Sequence, residues 1–159
     1  MKINDGAGFT LIEGIMVIVI IGILAAASIP AITSSYDRLK MESAYRQLKQ
    51  DVRYARQLAT TRQVNHGILF NPATETYSVY RQAVLNIVKD PSTQKSLTVT
   101  YASGKFSGIN LVSTTFTNPA QDRLEFNSLG APLGAGIVTV SYGGVTKTVQ
   151  VEANTGRII

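Results

Sequence analysis

The chain has 159 residues, with 15 Lys and Arg against 10 Asp and Glu, 45% hydrophobic residues, one histidine and no cysteine. That is one domain's worth of chain plus an N-terminal segment. The missing cysteines exclude disulfide staples, thiolate metal sites and cysteine nucleophiles, the single histidine excludes a multi-histidine metal site, and a net charge of +5 is too modest to name an anionic partner.

Gly8 to Glu13 read Gly-Phe-Thr-Leu-Ile-Glu, and no further charge appears until Asp37. The run between holds Ile15, Met16, Val17, Ile18, Val19, Ile20, Ile21, Ile23 and Leu24, then Ala25-Ala26-Ala27. About 20 such residues in a helix cross the hydrocarbon core of a bilayer. A lone carboxylate at the mouth of that run costs a few kcal/mol in hydrocarbon, so Glu13 calls for a function. Three readings compete. A secretory signal would use Lys2, the apolar run and cleavage after small residues, but Asp5 and Glu13 leave its N-terminal region without a clear positive excess. A plain single-pass anchor leaves Glu13 unexplained, and Lys2 before the run against Arg38 and Lys40 after it does not settle orientation.

The third reading is a resemblance. A short polar leader ending in Gly8, then Phe9-Thr10-Leu11-Ile12-Glu13 and an apolar helix, resembles the class III signal of type IV pilins and type II secretion pseudopilins. The resemblance implies cleavage after Gly8 by a prepilin peptidase and N-methylation of the new first residue, Phe9. It implies that Glu13 pairs with the terminal amine of a neighbouring subunit, since a paired charge in low dielectric is cheaper than a lone one. Ile15, Val17, Ile18, Ile20, Ile21, Leu24 and Pro30 would then lie in membrane lipid before assembly and in the filament core after it. Pro30 removes a helical hydrogen bond and should kink the helix, and Gly22 weakens it locally.

From Tyr36 to Arg62 the pattern turns amphipathic. Met41, Ala44, Tyr45, Leu48, Val52, Ala55 and Ala59 recur at spacings of three and four and line one helical face. Arg38, Arg46, Lys49, Arg53 and Arg56 form a second stripe, read as a solvated face with an i,i+4 pair between Glu42 and Arg46. Contact with acidic neighbours or anionic lipid heads is the alternative.

Beyond Val64 the pattern is β. His66–Phe70 and Thr76–Arg81 predict a hairpin around Asn71-Pro72-Ala73. Ala83–Lys95 reads as loop. Ser96–Tyr101 alternates, with Leu97, Val99 and Tyr101 on one face. Ile109–Thr117 and Arg123–Phe126 are weaker strands. Ile137–Tyr142, Gly143-Gly144 and Val145–Val151 predict a two-residue hairpin with Val138 opposite Val149, Tyr142 opposite Val145, and Lys147 opposite Val140 at the edge of the apolar side.

Ala55-Arg56, Phe126, Gly130-Ala131-Pro132, Gly143-Gly144 and Thr155-Gly156-Arg157 are together similar to the GspH/FimT type of minor pseudopilin and minor pilin. The fold implied is α+β, a long N-terminal α-helix packed on an antiparallel β-sheet domain. Residues 1–8 would be leader, 9–35 a transmembrane and filament-core helix, and 36–159 the globular domain, with an amphipathic helix over 36–62 and a β region over 66–159. The implied role is a minor subunit of a type II secretion pseudopilus, or alternatively of a type IV pilus in pilus assembly or DNA uptake. Its partners would be the prepilin peptidase, other pilin or pseudopilin subunits and an inner-membrane assembly platform. It would sit in the inner membrane as a single-pass protein with its C-terminal domain in the periplasm, then in the filament. DNA is not favoured as a partner. The tail carries one arginine, Arg157, and Lys89, Lys95, Lys105 and Lys147 are scattered in sequence. No enzyme is expected: His66 lacks a nucleophile-elbow context and reads as structural, and the carboxylates are dispersed. No cofactor or metal is implied.

Overall fold

The structure is a computed structural model describing residues 9–117, 119–120, 122–153 and 155–159, with the side chains of 28–34 and 119 outside that description. Gly8 and the side chain of Pro30 therefore lie outside the described residues. Helix α1 runs Leu11–Arg62, and the chain divides into two compact units between Tyr36 and Asp37.

In the first unit the apolar side chains face outward: Leu11 is 84% exposed, Ile18 71% and Leu24 62%. Among the described residues no helix is long and apolar enough to cross a membrane. A span needs about 20 apolar residues, and the described side chains of this run end at Ala27. The expected transmembrane segment over 9–35 is thus not displayed.

The second unit opens with the amphipathic part of α1. Met41, Ala44, Leu48, Val52, Ala55 and Ala59 are fully buried, as the three-and-four spacing requires, and Tyr45 packs half-buried beside them. Burying each large member contributes about 1.5–3 kcal/mol. The helix ends after Arg62, where Gln63 turns left-handed (φ 53).

Nine strands follow among the described residues: β1 His66–Asn71, β2 Thr76–Arg81, β3 Ala83–Ile87, β4 Thr98–Thr100, β5 Asn110–Phe116, β6 Pro119–Ala120, β7 Arg123–Phe126, β8 Gly136–Tyr142 and β9 Val145–Val151. One antiparallel sheet has the order β3-β2-β1-β7-β6 with β4 also paired to β2, and a second has the order β5-β8-β9. The β1–β2 turn is a 3-10 turn over Pro72–Thr74, in which Asn71 Oδ1 accepts from the Thr74 N–H at 3.3 Å. In the β8–β9 hairpin Val138 faces Val149, Tyr142 faces Val145 and Val140 faces Lys147, the register that alternation requires. Gly143 (φ 56) and Gly144 (φ 79) both lie in the left-handed region, which a type I′ turn needs.

Tyr101 is fully buried with Leu97 and Val99 packed against the core, on the face their alternation predicts. Ala83–Ile87 corrects the loop reading. It forms an edge strand whose pairing to β2 shifts register between Tyr80 and Arg81, and Leu85 on it is 91% exposed. The sheets meet where Phe70 of β1 stacks on Phe116 of β5, ring centroids 5.6 Å apart. Glu75, at the end of the β1–β2 turn, accepts a hydrogen bond from the Leu111 N–H of β5.

Candidate functional site

The N-terminal segment is organised by its second described residue. Thr10 precedes α1 and its Oγ1 accepts the Glu13 backbone N–H at 3.3 Å, while the Gly14 N–H donates to the Thr10 carbonyl at 3.2 Å. Thr10-Leu11-Ile12-Glu13 has the spacing of a capping box, a signal legible in the sequence itself. The Glu13 carboxylate itself is exposed in the first helical turn, where negative charge suits the helix dipole. Phe9, immediately before the cap, is 75% exposed. Ile15, Val17, Ile18, Ile20, Ile21 and Leu24 all follow on exposed positions.

In the second unit the structure overturns one reading of the basic stripe. Arg56 is not a solvated charge. Its Nε donates to the Gly130 carbonyl at 2.9 Å, Nη1 to the Gly156 carbonyl at 2.9 Å and Nη2 to the Thr155 carbonyl at 3.3 Å. The planar guanidinium fork thus ties the helix to the β7–β8 loop and to the C-terminal tail. Both acceptor loops are locked locally. Asn127 Oδ1 accepts from the Leu129 and Ala131 N–H groups at 3.0 Å each, and the Gly156 N–H donates to the Glu152 carbonyl at 3.0 Å. Gly130 (φ 78) has no room for a side chain: a Cβ there would lie 2.6 Å from Thr60 Cγ2. Ala55-Arg56, Gly130-Ala131-Pro132 and Thr155-Gly156-Arg157, separate in sequence, converge on this one staple.

Other members of the stripe behave as expected. Arg46 pairs with Glu42 at 2.8 Å and its side chain is 72% exposed. Lys147 reaches Glu42 from β9 and lies over the Tyr45 ring, 4.9 Å from its centroid. Lys147 and Arg46 together hold the Glu42 carboxyl below its usual range.

His66 is fully buried at the start of β1, with Nδ1 2.9 Å from the Val64 carbonyl and no hydrogen-bond partner on Nε2 among the described residues. Burial pushes its pKa down, and the charges of Arg62 and Arg81 add to that. A neutral, enclosed imidazole fits the structural reading. Asp51 is a buried carboxylate in a helix whose charges otherwise read as surface. It is 6% exposed and accepts from the Tyr77 hydroxyl at 2.8 Å and from Gln47 Nε2 at 3.1 Å. Among the described residues no group of three His, Cys, Asp or Glu could hold a metal ion.

Comparison with known proteins adds five findings. Residues 4–29 match the family model of the prokaryotic N-terminal methylation motif, and residues 44–156 match that of the type II transport protein GspH. The competence protein ComGD of Bacillus subtilis strain 168 is 28% identical over 158 residues, covering 99% of this chain and 95% of that protein. The minor pseudopilin EpsH of the Vibrio cholerae type 2 secretion system superposes with a TM-score of 0.54 at 15% identity, covering 74% of this chain and 94% of that one. The type IV minor pilin FimU of Pseudomonas aeruginosa PAO1 gives 0.53 at 14% identity, covering 77% and 89%. At such identities the two structural likenesses establish the fold: an N-terminal helix with antiparallel sheets, pilin-like.

Proposed function

We propose, because this chain belongs to the type II transport protein GspH family, that it is a minor subunit of a pilin-type filament, inserted in a membrane as a monomer and drawn from it on assembly. The observation that carries this reading is the outward-facing apolar run Leu11–Leu24 behind a single carboxylate. So much uncovered apolar surface requires lipid or like neighbours to cover it. Cleavage between Gly8 and Phe9 by a prepilin peptidase leaves the Thr10 cap intact, because that cap uses only Thr10 and residues after it. The new ammonium on Phe9 stands at the positive end of the helix dipole, where it is disfavoured. A neighbour's Glu13 offers the compensating charge, which joins processing to assembly. Ile15, Val17, Ile18, Ile20, Ile21, Leu24 and Pro30 form the filament core, and residues 36–159 its outer surface. The assembly platform and sister subunits are the remaining partners.

Two machines fit such a subunit. The GspH family match supports a secretion pseudopilus. A competence filament is favoured by ComGD, whose similarity spans the signal segment and the globular domain alike. We place the competence reading first.

Mass spectrometry of the chain from cells that have a prepilin peptidase should show an N-terminus at methylated Phe9. An intact Met1, or a start after Ala27, would overturn the processing step. Glu13→Ala should abolish cross-linking into filaments, and undiminished incorporation would remove its assigned role. Deletion should abolish DNA uptake and spare protein secretion; the opposite pair of phenotypes restores the secretion reading.

A further inference from the structure

Where α1 ends, the globular unit carries a cleft of about 540 Å³ whose lining includes Tyr54, Arg62, Arg81, Asn86, Lys89 and Gln94. That volume lies in the range of small-ligand sites. Three cations from three separate elements line it, and among the described residues no carboxylate does. Arg62 is the last residue of α1, Arg81 the last of β2, and Lys89 follows β3. Among the described residues the ion pairs use Glu42 and Asp122, and none involves these three cations. The nearest acidic residue in sequence, Asp90, turns its Oδ1 to the Ser92 N–H at 2.7 Å and the Thr93 N–H at 3.3 Å.

Arg62 has a partial structural reason, since a cation suits the C-terminal end of a helix. Arg81 and Lys89 have none of that kind. Their backbone is nonetheless fixed: Arg81 pairs with His66 across β1 and β2, Lys89 bridges Ser96, and the intervening Val88 N–H donates to the Val79 carbonyl at 2.8 Å. Like charges held together without a counter-charge repel one another, and a ligand with several negative groups relieves that repulsion.

We infer that this cleft binds the phosphodiester backbone of a nucleic-acid strand. The inference rests on the competence reading above and gives it a contact surface. Arg62, Arg81 and Lys89 take successive phosphates, and the half-buried Tyr54 ring and the Asn86 and Gln94 amides meet base or sugar. A lipid surface fits less well, because Ile87 is the one large apolar side chain of the lining that is exposed, at 38%.

The test uses the full chain in non-ionic detergent and a short fluorescein-labelled single-stranded DNA, read by fluorescence anisotropy across a salt series. The triple substitution Arg62→Gln, Arg81→Gln, Lys89→Gln should weaken binding about tenfold or more at 0.1 M salt and flatten the log–log salt slope by about 2, at roughly 0.7 for each lost phosphate contact. Tyr54→Leu should weaken it about fivefold or more. Arg53→Gln with Lys105→Gln, outside the cleft, should stay within twofold. An unchanged thermal transition confirms that the triple variant folds. Equal losses from the outside pair would overturn the inference in favour of diffuse charge. So would no binding at low salt, displacement by low-millimolar inorganic phosphate, or capture by phosphatidylglycerol vesicles that the triple substitution abolishes although it leaves Leu11–Leu24 intact. Loss of the cleft's binding with Phe9 processing and Glu13-dependent assembly intact leaves the filament reading standing.

Discussion

Helix α1 contains two apolar stretches built from much the same residues but with opposite fates. In Leu11–Leu24 the large side chains lie 43–84% exposed, whereas Met41, Leu48 and Val52 are fully buried under the sheets of their own chain. The difference is one of pattern. The first stretch is apolar on all sides, so packing one face against a sheet would not cover it, and its large side chains stay exposed. The second confines its apolar residues to one stripe and satisfies them internally. One stretch is left uncovered by its own chain, and the other belongs to the fold.

That separation is testable by matched truncations. Leu48→Ala should cost the globular unit about 2–5 kcal/mol, the range for large-to-small changes in a packed core, measured by denaturant unfolding of the full chain in detergent with tyrosine fluorescence as readout. Ile18→Ala, removing similar apolar bulk from the exposed stretch, should leave the same transition within about 0.5 kcal/mol. Comparable shifts from the two variants would break the comparison, because the exposed stretch would then be part of the domain's own core.

The staple offers a smaller effect on the buried side. Arg56→Ala removes hydrogen bonds to three carbonyls and should cost about 2–3 kcal/mol, while Arg56→Lys keeps the charge but loses the fork and should recover less than half of that. Gly130→Ala should cost at least about 1–2 kcal/mol from its left-handed backbone alone. Thr60→Ser, which deletes the Cγ2 that the new methyl would strike at 2.6 Å, should return part of the loss. A fully rescuing Arg56→Lys would reduce the site to a surface charge, as the stripe first suggests.

Which features the sequence disclosed follows from where their information resides. The buried stripe is a periodicity of side chains, and the β8–β9 register follows from a two-residue glycine link between alternating strands; both are local signals. Edge strand β3 has no such signal because its apolar residues do not follow its burial, Leu85 being the clearest case. The Arg56 staple has no local signal on its acceptor side, since its partners are backbone carbonyls up to 100 residues away. The cleft cations are likewise distant in sequence, and only the fold brings Lys89 to Arg62 and Arg81. Asp51 is the instructive failure. It stands three residues after Leu48 and four before Ala55, on the buried stripe by spacing, yet a carboxylate in a charged helix reads as surface.

Asp51 therefore gives the finest test of the buried region, because it places a titrating group inside it. Burial raises its carboxyl above the ordinary 3.8, the hydrogen bonds from Tyr77 and Gln47 oppose the rise, and the charge of Asp90 adds to it. The native state then holds this proton more tightly than the unfolded chain does. Between the unfolded pKa and the higher native one the folded form binds more protons, so stability falls as pH rises through that window and the cost is complete above it. Asp51→Asn carries no charge at any of these values and lacks that fall. Wild type should lose stability relative to Asp51→Asn as pH rises from about 4 to 7, measured as the difference between their melting temperatures. Glu42 works in the opposite direction, since its lowered pKa contributes stability above 4.5 that is lost in acid, and it is common to both proteins. The difference between the two curves isolates Asp51. Parallel curves would mean that the carboxylate is solvated after all, and the stripe's one polar member would then belong with the exposed face instead of the core.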